Sequence, residues 1–105
     1  MRFVETPVFT RAVRALVSDD EYRALQLALM LRPEQGALIR GSGGLRKIRW
    51  GGSGRGKRGG TRVIYYWDDD QEAFYMLLVY AKSDQEDLTP SQIRVLGRLV
   101  REEFK

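Results

Sequence analysis

The spacing of apolar residues changes after Gly36, and this change limits the folds that the chain can adopt. Before Gly36, apolar residues recur at intervals of three and four, which is typical of amphipathic helices. After Gly36, short runs of β-branched and aromatic residues are separated by polar turns, as expected for strands. A chain of 105 residues corresponds to about one domain. We therefore expect a single α+β domain over residues 1–105.

The N-terminal half carries the start and stop signals of two helices. Thr6 followed by Pro7 pairs an N-cap residue with a proline suited to the first helical position. Ser18 and Glu21 are spaced as a capping box, which predicts the start of a second helix. Pro33 disfavours helical backbone in the residue before it, so this helix is expected to end there. The two helices would form an antiparallel hairpin.

The remaining elements are predicted to be strands and one last helix. Residues 2–5 are a candidate edge strand, and residues 45–50, 62–67 and 74–82 are candidate strands of a meander. The third of these runs is almost continuously apolar, which favours a place at the centre of the sheet. A capping box at Thr89 begins a C-terminal helix. The expected order is β-α-α-β-β-β-α, with the helices packed on one face of an antiparallel sheet.

Basic residues are concentrated in the glycine-rich part of the chain. Eight of its 18 basic residues, and none of its 14 acidic residues, lie between Gln35 and Trp67. The net charge of +4 is therefore the difference between a segment of +8 and a remainder of −4. A charge distribution of this kind is typical of a polyanion-binding surface, and nucleic acid is the obvious polyanion.

The composition also excludes several classes of chemistry. The chain has no Cys and no His, so it has no thiolate ligand, no disulfide and no imidazole acid or base. We expect no metal and no cofactor. No apolar run approaches the roughly 18 residues of a membrane span. The N-terminus also lacks the features of a signal peptide, so a cytoplasmic location without membrane association is expected.

Several cations are expected to converge on the sheet. In an extended strand Lys47 and Arg49 project to the same face. Arg62 begins the neighbouring strand beside two glycines and is expected to be poorly placed to serve the core. Tyr80 and Lys82 end the following strand, so hairpin pairing brings these ends together. Cations gathered in this way can neutralise the charge that grows on a phosphorane without a metal.

The glycine-rich loop at residues 51–60 suggests a different phosphate site, which we reject. Its spacing imitates a P-loop, but Arg58 stands where Ser or Thr is required and a strand follows instead of a helix. Lys57 and Arg58 on this loop can still contact an RNA backbone.

Three segments, GSGGLRKIRW, GKRGGTRVIYYW and YMLLVYAKSDQEDLT, resemble the RelE/HigB group of toxins from bacterial toxin–antitoxin modules. Together with the order of elements, the likeness covers nearly the whole chain. The resemblance implies a microbial-RNase-like fold and cleavage of mRNA in the ribosomal A site. It also implies a HigA-type antitoxin that contains a helix-turn-helix. The toxin would contact operator DNA only through this antitoxin.

The same resemblance implies roles for individual residues. The basic pair of the family falls on Lys47 and Arg49, and its next arginine falls on Arg62. One branch of the family has a further arginine and a tyrosine after the last strand, which residues 83–88 lack, and another branch uses histidines. Lys82 and Tyr80 are then the nearest candidates for the proton donor.

The favoured hypothesis is a ribosome-dependent mRNA endoribonuclease. Lys47 would act as base or electrostatic activator, Arg49 and Arg62 would hold the phosphate, and Lys82 would assist the leaving 5′-oxygen. The residues expected to bind RNA are Arg46, Lys57, Arg58 and Tyr80. Two alternatives remain open: a ParE-like toxin that poisons DNA gyrase without catalysis, and an RNA-binding module without turnover.

Overall fold

A computed structural model describes residues 1–50 and 60–104, and the predicted contacts of Lys57 and Arg58 lie outside the described residues. The strands and helices follow one another in the order β1 (Arg2–Glu5), α1 (Pro7–Leu16), α2 (Asp19–Leu31), β2 (Ala37–Leu38), β3 (Arg46–Trp50), β4 (Thr61–Asp68), β5 (Ala73–Ala81) and α3 (Pro90–Leu99), after which a π-helical segment covers Val100–Phe104.

The three helices begin at the predicted capping residues. The Thr6 side chain accepts a hydrogen bond from a backbone N–H of the first turn of α1. Ser18 with Glu21 and Thr89 with Gln92 form the two capping boxes, in which each side chain of the pair accepts a backbone hydrogen bond. Within the described part of the chain, no helix has the length and apolar character needed to cross a lipid bilayer.

The five strands form one mixed sheet in the order β1-β5-β4-β3-β2. The predicted edge strand at residues 2–5 is confirmed, but it pairs with β5 in parallel, whereas the other pairs are antiparallel. The two-residue strand β2 was not predicted. The central strand is β4, and the prediction that β5 is central is wrong. β5 is nevertheless paired along both edges, and its side chains are buried on both faces of the sheet, which explains why its sequence is almost continuously apolar.

The helices cover both faces of the sheet, so the prediction that they share one face is wrong. α1 and α2 pack on one core cluster, and α3 packs on a second cluster on the opposite face. Both β4 and β5 supply alternate residues to each cluster, which leaves two apolar faces to be covered. The first cluster includes Phe9, Val13, Leu25, Leu29, Tyr65, Phe74 and Met76, and the second includes Leu45, Ile64, Tyr66, Tyr75, Leu77 and Val100.

Candidate active site

Three predicted site residues form a row across the three inner strands. Arg49 of β3 lies opposite Arg62 of β4, and Arg62 lies opposite Tyr80 of β5. Lys47 is two residues from Arg49 along β3, where it lies opposite Ile64. Since side chains two apart point to the same side of a strand, these residues share the face that α3 covers.

A β-bulge in β5 places Tyr80 in this row. Ile64 pairs with Leu78 and Tyr65 pairs with Met76, so Leu77 is an extra residue in β5. The extra residue reverses the alternation of the strand beyond it. Without it, Tyr80 would face the side of α1 and α2. The sequence does not reveal this bulge, because Leu77 and Leu78 would each fit a regular buried strand.

Arg62 is buried, with only 2% of its surface exposed. The prediction that it is poorly placed to serve the core is therefore wrong. β4 is the central strand, so even its first residues, Thr61 and Arg62, have a strand on either side. A guanidinium in such low-dielectric surroundings acts more strongly on nearby charges than an exposed one does.

Asp87 contributes a carboxylate to the site that the sequence analysis did not predict. Its Oδ1 accepts a hydrogen bond from Lys47 Nζ and forms an ion pair with it. The hydrogen bond and charge of Lys47 lower the pKa of the Asp87 carboxyl, and the charges of Arg62 and Arg49 act in the same direction. A lysine paired in this way is the cationic partner, which favours the electrostatic role predicted for Lys47 over the role of base.

Tyr80 lies under the surface of the site, with 7% of its surface exposed. Within the described part of the chain, its buried hydroxyl has no hydrogen-bond partner. Burial raises the pKa of Tyr80, the negative charge of Asp87 raises it further, and Arg62 opposes both. A base cannot stack on a ring that is covered in this way, so the RNA contact expected for Tyr80 could be made only through its hydroxyl group.

Two other predicted residues stand apart from the row. Lys82 is exposed and follows β5, where its backbone N–H donates to the Gly60 carbonyl at 3.1 Å. Arg46 points to the opposite face, where its Nη1 donates to the carbonyls of Glu34 and Gly36 at 2.9 and 2.7 Å. Its side chain is 16% exposed, so Arg46 ties β3 to the segment after α2, and its contact with RNA stays a prediction.

An open cavity of about 260 Å³ adjoins the Lys47–Asp87 pair. Its other walls are largely apolar and include Leu38, Leu88 and Ile93. The site thus combines three cations, a carboxylate and a buried hydroxyl at the edge of an apolar hollow. This arrangement can hold an anionic group on the sheet and surround it with preorganised positive charge.

The comparisons with known proteins agree with this architecture. The family model described as "RelE toxin of RelE / RelB toxin-antitoxin system" matches residues 1–104. Among solved structures, the chain is similar to one in the intact E. coli RelBE toxin–antitoxin complex, with 19% sequence identity and a TM-score of 0.58. That match covers 73% of this chain and 90% of the other, and it shows a shared fold. Because the family model spans nearly all of its length, this chain belongs to the RelE toxin family.

Proposed function

We propose that this toxin of a type II toxin–antitoxin module is a ribosome-dependent endoribonuclease that cleaves mRNA in the ribosomal A site. The observation that carries the proposal is the row of Arg49, Arg62 and Tyr80, with Lys47 beside it, on one face of the sheet. Membership of the RelE toxin family supports it.

The reaction would begin with the 2′-hydroxyl of the substrate. Its oxygen attacks the adjacent phosphorus and gives its proton to solvent water, a bond from O2′ to phosphorus forms, and the bond from phosphorus to the 5′-oxygen breaks. Arg49 and Arg62 hold the phosphate and stabilise its growing charge, while Lys47 stabilises the charge developing near the nucleophile. The leaving 5′-oxygen takes a proton from Lys82 or Tyr80. The products are a 2′,3′-cyclic phosphate and a free 5′-hydroxyl.

The proposal includes partners and a location. The solved structure similar to this chain is a toxin–antitoxin complex. We propose that a cognate HigA-type antitoxin neutralises this toxin and supplies the contact with operator DNA. The ribosome and mRNA would be the other partners, which places the protein in the cytoplasm.

A gyrase poison of the same fold is the second candidate. Such a protein has no need for three cations and a tyrosine brought together on one face of the sheet. The cluster at Lys47, Arg49 and Arg62 therefore favours the ribonuclease.

Primer extension on mRNA from induced cells separates the candidates. We expect discrete cuts in frame with the codons soon after induction and no DNA damage. DNA damage without mRNA cuts would favour gyrase poisoning, and neither result would indicate a binding module. Arg94→Ala, which removes an exposed charge on α3, is a suitable control because it should leave the cuts unchanged.

A further inference from the structure

The Asp87 carboxylate lies among the cations that the proposed reaction needs for a phosphate. It is paired with Lys47, and the charges of Arg62 and Arg49 also act on it. Carboxylate and phosphate oxygens accept charge-assisted hydrogen bonds from ammonium and guanidinium groups in the same way. In the free protein, an anion of the chain itself thus engages the cation cluster.

A second, independent feature of the same place is the Tyr80 hydroxyl. It is buried and has no hydrogen-bond partner within the described residues. A buried hydroxyl without a partner is costly, and such groups are uncommon unless they serve a purpose. Tyr80 pairs directly with Arg62, and the charge of Asp87 acts on it. An unused hydrogen-bonding group therefore lies within reach of the charge of the carboxylate.

We propose that Asp87 occupies the position of the scissile RNA phosphate, and that the phosphate displaces it to contact Lys47, Arg62 and the Tyr80 hydroxyl. The inference rests on the proposed function, because it assigns the phosphate subsite of that reaction. Asp87 is then a competitor of the substrate and takes no part in the proton transfers.

The surroundings of Asp87 allow this exchange. Its side chain is 66% exposed, and ion pairs open to water are weak. Its backbone is fixed separately, because Gln85 Nε2 donates to the Asp87 carbonyl at 2.9 Å and to Gln92 Oε1 at 3.0 Å. The carboxylate can therefore rotate out of the cluster while the segment before α3 stays in place. A loosely held RNA competes poorly with this internal anion, whereas an mRNA positioned by the ribosome competes well.

Binding of inorganic phosphate to the full chain tests the subsite directly. The titration is followed by NMR at constant ionic strength, with wild type, Asp87→Asn and Asp84→Asn compared. Asp84 is an exposed residue of the same segment, and its replacement removes the same charge without touching the pair. We expect Asp87→Asn to bind phosphate about two- to fivefold more tightly than Asp84→Asn does, because a competing exposed ion pair is lost.

The position of the bound phosphate is the second readout. We expect the largest changes in chemical shift at Lys47, Arg62 and Tyr80. Adding Tyr80→Phe to Asp87→Asn should weaken phosphate binding several-fold, since only the hydroxyl is removed. Equal phosphate affinities for Asp87→Asn and Asp84→Asn, or chemical-shift changes confined to other surfaces, would show that Asp87 does not occupy the phosphate position. Asp87→Ala provides a second variant, and it should behave like Asp87→Asn.

The phosphate titration and the mRNA cleavage assay can fail independently of each other. If the toxin cuts mRNA on ribosomes but Asp87→Asn binds phosphate no better than Asp84→Asn, the subsite is wrong and the function stands. If no mRNA is cut but Asp87→Asn binds phosphate more tightly, the anion subsite stands without the nuclease.

Discussion

The hydroxyl groups of Tyr65 and Tyr80 differ in their hydrogen bonding. The Tyr65 hydroxyl donates to the Pro33 carbonyl at 2.7 Å and accepts from the Gly36 N–H at 3.0 Å. The Tyr80 hydroxyl is buried without a partner in the described part of the chain. The first hydroxyl contributes to folding, whereas the second makes no such bond within the described residues.

Replacing each tyrosine by phenylalanine tests this difference. We expect Tyr65→Phe to lower the free energy of unfolding by about 1–3 kcal/mol, because a buried N–H and a partly buried carbonyl lose their partner. Tyr80→Phe should leave the free energy unchanged or raise it by up to about 1 kcal/mol, because it removes an unsatisfied group. Urea denaturation measures both. A loss of stability in Tyr80→Phe equal to that in Tyr65→Phe would show that the Tyr80 hydroxyl is already bonded.

The ion pair of Lys47 and Asp87 predicts how Asp87 titrates. Because the folded state lowers the pKa of Asp87, its contribution to stability is present above the pKa of an unfolded Asp, about 3.9, and is lost as pH falls through the lower folded value. In carboxyl-detected NMR we expect a midpoint below about 3.9 in wild type and a higher midpoint in Lys47→Met. Lys82→Met, an exposed lysine outside the pair, is the control, and identical midpoints in both variants would contradict the pair.

At the scale of elements, α3 is fitted closely to the turn before β3. A Cβ at Gly97 would lie 2.9 Å from the Ser42 carbonyl oxygen. Ser42 is itself fixed, because its Oγ donates to the Ile39 carbonyl at 2.6 Å and accepts from the Leu45 N–H at 3.0 Å. The turn therefore has little freedom to move away from the helix.

Gly97→Ala tests this fit, because two effects oppose each other. Helix propensity alone predicts a gain of about 1 kcal/mol. We expect a net loss of about 1–2 kcal/mol instead, since overpacking against fixed backbone costs more than the propensity supplies. Thermal or urea unfolding measures the sign. A variant more stable than wild type would show that α3 does not rest on this turn.

For the whole molecule, the uneven distribution of charge along the chain can be tested through the salt dependence of binding. The basic segment has +8 against −4 in the rest of the chain. Binding to ribosomes should therefore weaken steeply with salt, because each phosphate contact releases about one counterion. The double variant Lys57→Ala with Arg58→Ala should reduce the slope of log affinity against log salt concentration by the equivalent of about one to two phosphate contacts. The matched control is Arg11→Ala with Arg14→Ala, which removes two exposed cations of α1. Equal slopes in both double variants would show that Lys57 and Arg58 do not contact RNA.

Sequence patterns located most of the elements but only part of the site. Alternation along β3 correctly places Lys47 and Arg49 on one face, since this depends only on local geometry. The parallel pairing of β1, the second helical face and the bulge at Leu77 depend on how distant segments pack. Asp87 was missed for the same reason, because its contact with Lys47 spans 40 positions of the chain. No periodic pattern connects residues so far apart.

Cleavage of one mRNA by the purified toxin, on ribosomes and free in solution, tests the proposed nuclease most directly. We expect discrete cuts on ribosomes that leave 2′,3′-cyclic phosphate ends, and only weak cutting of free mRNA. Arg62→Lys should lower the rate on ribosomes by about 10²-fold, because a point charge does not replace the bidentate grip of a preorganised guanidinium. Arg94→Lys should cut at the wild-type rate. Equal cutting of free and ribosome-bound mRNA, or full activity of a folded Arg62→Lys variant, would contradict a ribosome-dependent nuclease that uses Arg62.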